Sequence, residues 1–172
     1  MKTKKLVFLS LMVAYSLALY LLETIIPNPL IAFFPGAKLG LSNIITLISL
    51  LSFGFRDSFV ILTIRIILSS IFAGPATTLL YSISGGYLSL IFMYLFSKFK
   101  FDTITVSIIG AIFHNIGQLL MASLIIYNIS FMTYLPFMIG ASVVTGIFIG
   151  IVVKFAMKTR FIQKMERYKN EY

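Results

Sequence analysis

The sequence predicts an all-α integral membrane protein, a bundle of six transmembrane helices with almost no mass outside the bilayer. Three observations carry that prediction. Of 172 residues, 59% are hydrophobic and only 11% charged, and the mean hydropathy is +1.02. A soluble domain carries about a quarter charged residues, so a water-facing exterior cannot be built here and the solvent must be lipid. The apolar residues fall into six runs with short punctuation between them, and the basic residues gather on one side of that pattern.

A membrane helix needs about 20 mostly apolar residues, which sets the elements in order. The first span, 6–26, follows Met1-Lys-Thr-Lys-Lys5. That start also fits a secretory signal, but the five apolar runs behind it make it a first membrane helix. Pro27, Pro29, Pro35 and Gly36 stop it. The second span, 39–54, is turned by Gly54-Phe-Arg-Asp57, and the third, 58–74, ends at Gly74-Pro75. Lys98-Phe-Lys-Phe-Asp102 separates the fourth, 76–97, from the fifth, 104–127. Asn128 marks the turn into the sixth, 131–155, and a basic tail occupies 156–172. The chain is a single membrane domain without a repeat. Tyr20, Tyr81, Tyr127 and Tyr134 fall near predicted helix ends, where their amphipathic rings suit the headgroup level.

Six spans put both termini and loops 2–3 and 4–5 on one side. That side holds every basic residue except Lys38 and Arg65: Lys2, Lys4, Lys5, Arg56, Lys98, Lys100, Lys154, Lys158, Arg160, Lys164, Arg167 and Lys169. By the positive-inside rule both termini are cytoplasmic, in a bacterial cytoplasmic membrane crossed several times. The net charge of +9 is therefore an orientation signal and a headgroup contact, with no nucleic-acid partner expected.

Polar groups inside the bilayer are costly, about 2.5–3.5 kcal/mol for a charge on insertion scales. Arg65 lies midway along span 3, with Ser69 one turn on; it either staples the bundle through helix carbonyls or serves a ligand. His114, Asn115 and Gln118 follow one another at helical spacing on span 5, on a single stripe. Interhelical bonding explains such a stripe as well as a pocket does. The segment from Glu23 through Lys38 to Asn43 is the most distinctive. Lys38 opposes the positive end of helix 2, so a compensating anion is expected: Glu23, a lipid phosphate or an anionic ligand. Glu23, Lys38, Asn43, Arg65, His114, Asn115 and Gln118 are the candidate substrate-binding residues. Small residues mark close helix approach at Ser10, Ala14 and Ala18 on helix 1, and at Gly140, Ser142, Gly146 and Gly150 on helix 6.

Several chemistries are not encoded. There is no cysteine, Walker A, HExxH or Asp-rich DDxxD sequence, and the single histidine has no acidic neighbour on its helix. Neither a metal, a cofactor nor enzymatic activity is expected. Asn128-Ile-Ser130 matches a glycosylation sequon, a pattern short enough to arise by chance.

Leu22-Glu-Thr-Ile-Ile-Pro-Asn-Pro29, Pro35-Gly-Ala-Lys-Leu-Gly-Leu-Ser-Asn43, Arg65-Ile-Ile-Leu, Ser82-Ile-Ser-Gly-Gly86, His114-Asn-Ile-Gly-Gln118 and Tyr134-Leu-Pro136 together resemble the Gx transporter family, often labelled heptaprenyl diphosphate synthase component I. The resemblance covers about residues 6–155. It implies an S component of an energy-coupling factor (ECF) transporter, a six-helix protein that captures a vitamin-like nutrient from outside, under loop 1–2. It further implies that Ala14 and Ala18 dock a T component, with two ATPase subunits hydrolysing ATP. Lys38, Arg65 and His114 add that the nutrient has an anionic part. The alternative is a noncatalytic membrane subunit of heptaprenyl or polyprenyl diphosphate synthesis, because chain elongation itself needs Asp-rich Mg²⁺ sites. A stand-alone secondary transporter is a third reading, weakened by the lack of an inverted repeat.

Overall fold

The computed structural model describes residues 2–25, 40–73, 76–160 and 162–163. All described secondary structure is helical: α1 (Lys2–Ile25), α2 (Asn43–Phe53), α3 (Phe55–Ala73), α4 (Ala76–Lys98), α5 (Thr103–Ile126), a 3-10 turn (Ile129–Tyr134) and α6 (Leu135–Ala156). Four segments are long and apolar enough to cross a membrane: α1, α4, α5, and the 3-10 turn with α6. The helix α3 has the length, at 19 residues, but carries Arg56, Asp57 and Arg65.

The helix α2 departs from expectation. In place of a span over 39–54 it has 11 residues, which at 1.5 Å per residue is about 16 Å, roughly half a hydrocarbon core. Ten of the eleven are buried. It packs against α1, α3, α4 and α6 and touches α5, so it is the axle of the bundle. Its polar residues Asn43, Thr46, Ser49 and Ser52 are buried along with the apolar ones, so protein surrounds the helix. Gly54, at φ +87°, ends α2 and turns the chain directly into α3. This backbone conformation suits glycine because it lacks a Cβ.

Around that axle, α4, α5 and α6 form the most closely packed layer, and α1 lies on α3. Glycines allow the approach. A Cβ on Gly117 would come within 2.6 Å of the Ser84 carbonyl oxygen on α4, and Cβ atoms on Gly146 and Gly150 would meet the Cα atoms of Ile108 and Ile104 on α5. Gly140, by contrast, has open space where its Cβ would be, so the predicted small-residue seam of α6 begins at Ser142. Aromatic contacts join α3 to α4: Phe55 to Tyr94 at 4.8 Å and Phe59 to Tyr87 at 5.1 Å between ring centres, with Thr63 Oγ1 3.0 Å from the Tyr87 hydroxyl.

Contacts between helix termini place the basic residues. Lys5 of α1 pairs with Asp57 at 2.9 Å, and Lys154 of α6 with Asp102 at 3.4 Å. With the Phe55–Tyr94 contact, these gather the N-termini of α1, α3 and α5 and the C-termini of α4 and α6 at one end. Arg56, Lys98, Lys100 and Lys158 belong to these same termini. Asp102 caps α5, accepting from the Ile104 amide, which holds its carboxyl below the usual carboxylate range. Tyr127 is almost fully exposed beyond α5, as a headgroup-level ring would be. Tyr20 is not: it is buried inside the bundle. Asn128 accepts from the Ser130 amide and starts the 3-10 turn.

Candidate functional site

At the end of the bundle opposite the basic cluster, α1 meets the start of α2. Glu23, buried in the last turn of α1, reaches across and accepts two backbone hydrogen bonds: from Gly40 N at 2.5 Å and from Leu41 N at 3.2 Å. Those amides precede α2 and have no helical acceptor, so the carboxylate serves as a cap supplied from another helix. Gly40, at φ +80°, makes the turn that presents them. Ser42, the N-cap residue, makes no side-chain cap: its backbone is already helical, at φ −63° and ψ −20°, where a capping residue is extended, and its hydroxyl meets another group.

That hydroxyl accepts from Arg65. The guanidinium, on a side chain only 2% exposed, donates from Nη1 to Ser42 Oγ at 3.1 Å. Its Cζ lies 5.8 Å from the centre of the Tyr20 ring, within cation–π range, and Glu23 is within its electrostatic reach. Asn43, the first residue of α2, is buried beside Gly40, and its Oδ1 has no hydrogen-bond partner among the described residues. Arg65, Glu23, Ser42 and Asn43 thus make one polar cluster among α1, α2 and α3. Ser69, one turn on, is buried and bonds back to the Ile66 carbonyl. Lys38 lies outside the described residues, as do Pro27, Pro29, Pro35 and Gly36.

The α5 residues form a second locus, divided between two neighbours. His114 and Gln118 face α4: a Cβ on Gly85 would come within 2.8 Å of Gln118 Cγ and within 3.2 Å of His114 Cε1. Asn115 turns to α6, donating from Nδ2 to Ser142 Oγ at 2.7 Å, while Ser142 donates to the Met138 carbonyl. The expected single stripe is therefore two faces, and Asn115 has the stapling role. Ser42, Tyr20 and Ser142 were missed as site or partner residues, because a serine or tyrosine in an apolar run carries no local signal of what it meets. Among the described residues, no group of three or more His, Asp or Glu side chains converges as a metal site would require.

On α1, Ser10, Ala14 and Ala18 are exposed, as are Leu11, Tyr15 and Leu22 beside them. Among the described residues, no other helix covers this stripe.

Residues 12–156 match the family described as heptaprenyl diphosphate synthase component I. No curated protein matches the chain, and no solved structure does.

Proposed function

The chain belongs to the heptaprenyl diphosphate synthase component I family, and from that premise we propose that it is a noncatalytic membrane subunit that binds an anionic small molecule among α1, α2 and α3. The observation that carries this reading is Arg65, a cation buried in an apolar bundle beside the amide-rich start of α2. A buried charge needs partners in proportion to what desolvation costs it. Here the chain's own carboxylate is already engaged by Gly40 and Leu41.

The family's name supports a partner in heptaprenyl diphosphate synthesis. A diphosphate is an anion of the kind Arg65 would take, and the Asp-rich Mg²⁺ chemistry would belong to the partner. The exposed Ala14/Ala18 stripe on α1 favours a second reading: the capture component of an ECF-type uptake transporter, docking a T component through that stripe, with ATP hydrolysis in two ATPase subunits. In either case the protein works in the bacterial cytoplasmic membrane, with its basic end in the cytoplasm.

Purification of the tagged chain from its native membrane, with mass spectrometry of retained proteins and small molecules, separates the two. A soluble partner bearing DDxxD, with altered prenyl chain length on deletion of the gene, supports the synthase assignment. A T component that is lost on Ala14→Leu or Ala18→Leu supports transport. Recovery of neither partner and no anion would sink both.

A further inference from the structure

Arg65 keeps two donors in reserve after its internal contacts are counted. Nη1 is taken by Ser42, whereas Nε and Nη2 are buried without a hydrogen-bond partner among the described residues. These two are not an arbitrary pair. They lie on the same edge of the planar guanidinium, with parallel N–H bonds spaced to meet two oxygens carried by one atom. Nη1 is on the other side, so the Ser42 contact orients the group and leaves that edge without an acceptor among the described residues.

The neighbouring carboxylate does not fill it. Glu23 is directed to Gly40 N and Leu41 N, and neither of its oxygens bonds the Nε/Nη2 edge. Among the described residues no other carboxylate lies at this end. The chain's other acidic residues are Asp57, Asp102, Glu166 and Glu171. Asp57 and Asp102 pair with lysines at the opposite end, the two glutamates belong to the tail, and residues 26–39 contain no acid. One carboxylate thus stands between two anion-seeking groups, the start of α2 and the guanidinium, and it serves the first.

We propose that the Nε/Nη2 edge of Arg65 is the recognition element for a ligand oxyanion: a carboxylate or a phosphoryl group taken side-on and in plane through two of its oxygens. This rests on the ligand-binding reading above and narrows it from any anion to a planar or tetrahedral oxyanion. A spherical anion such as chloride meets both donors at poorer angles and is the weaker ligand. Tyr20, over whose ring the guanidinium lies, and Ser42 are positioning residues.

The full chain, purified in detergent, is titrated calorimetrically with pyrophosphate, phosphate, succinate and chloride at matched ionic strength. It is then placed in phosphatidylcholine nanodiscs with and without phosphatidylglycerol, which separates a soluble oxyanion from a lipid headgroup. At least one oxyanion should bind, and at least about tenfold more tightly than chloride; chloride binding as tightly would overturn the bidentate assignment. Arg65→Lys keeps the charge and loses the edge, so it should weaken binding by about tenfold or more; Arg65→Gln should weaken it by about a hundredfold. Wild-type affinity in Arg65→Lys would mean that a point charge suffices, which overturns the bidentate assignment and leaves ligand binding standing. No binding of any oxyanion, soluble or lipid, would overturn both. Should the Arg65 variants fail to fold, ¹⁵N-arginine spectra of the wild type serve instead. The chain has only Arg56, Arg65, Arg160 and Arg167, so replacing the other three by Lys assigns the Arg65 Nε–H. That signal should move on saturation with the bound oxyanion, and an unmoved signal refutes the proposal.

Discussion

Replacing Glu23 by Gln removes one negative charge and changes almost nothing in shape. In the structure its two oxygens accept from Gly40 N at 2.5 Å and Leu41 N at 3.2 Å. Hydrogen bonds to a charged acceptor contribute about 1.5–3 kcal/mol each. The Gln side chain retains one acceptor, which would keep the shorter bond in neutral form, and turns an amide donor toward Leu41 N–H. The expected loss is one charge-assisted bond together with the anion facing the start of α2, about 2–3 kcal/mol in all. At about 2–4 °C per kcal/mol for a chain of this length, the melting temperature should fall by roughly 5–10 °C. The chain has neither Trp nor Cys, so the assay is helix loss by circular dichroism in detergent or size-exclusion of a heated fluorescent-protein fusion. Thr24→Ala is the control: its exposed hydroxyl bonds to the Leu21 carbonyl of its own helix, and its melting point should not change measurably. Glu23→Gln and Glu23→Ala both melting within a degree of wild type would show that this carboxylate does not cap α2.

Two further outcomes follow from contacts elsewhere. Gly117→Val should destabilise the bundle by about 3 kcal/mol or more, since even a Cβ there meets the Ser84 backbone and α4 must move away, breaking the Ser84 hydroxyl bond to the Gly117 carbonyl; the same melting assay checks it. Asp102, held below the ordinary carboxylate range chiefly by the Ile104 amide, stabilises the folded chain above the unfolded carboxylate value, and that contribution disappears as pH falls through its own lower value. Melting curves from pH 7 down to 3 should therefore show a small loss for wild type that Asp102→Asn lacks, and identical profiles would count against the cap.

The family and the class were legible early because they depend on composition and local order. Apolar runs with few charges admit no water-facing fold, and the positions of the lysines along those runs placed them at one end, where Lys5–Asp57 and Lys154–Asp102 now hold the termini together. Burial of Arg65, His114, Asn115 and Gln118 was also legible, since a polar group in an apolar helix is stable only when turned inward. Their partners were not. His114 and Asn115 are adjacent, and adjacent residues on a helix diverge by about 100°, so a stripe that reads as one face in sequence meets α4 on one side and α6 on the other.

The sequence could not say how α2 was surrounded, because apolar residues interleaved with Asn43, Thr46, Ser49 and Ser52 suit a spanning helix as well as a buried one. Only packing showed it to be a short buried axle. The site depended on tertiary structure for the same reason. Glu23 meets Gly40 across 17 residues and Arg65 meets Ser42 across 23; such encounters arise from where helices cross, not from any local preference. Sequence alone determined that this chain is apolar, helical and charged at one end. Tertiary structure decided that Arg65, a deeply buried cation, would be brought to the start of α2, because helix crossings fix which separated side chains share the same dry space.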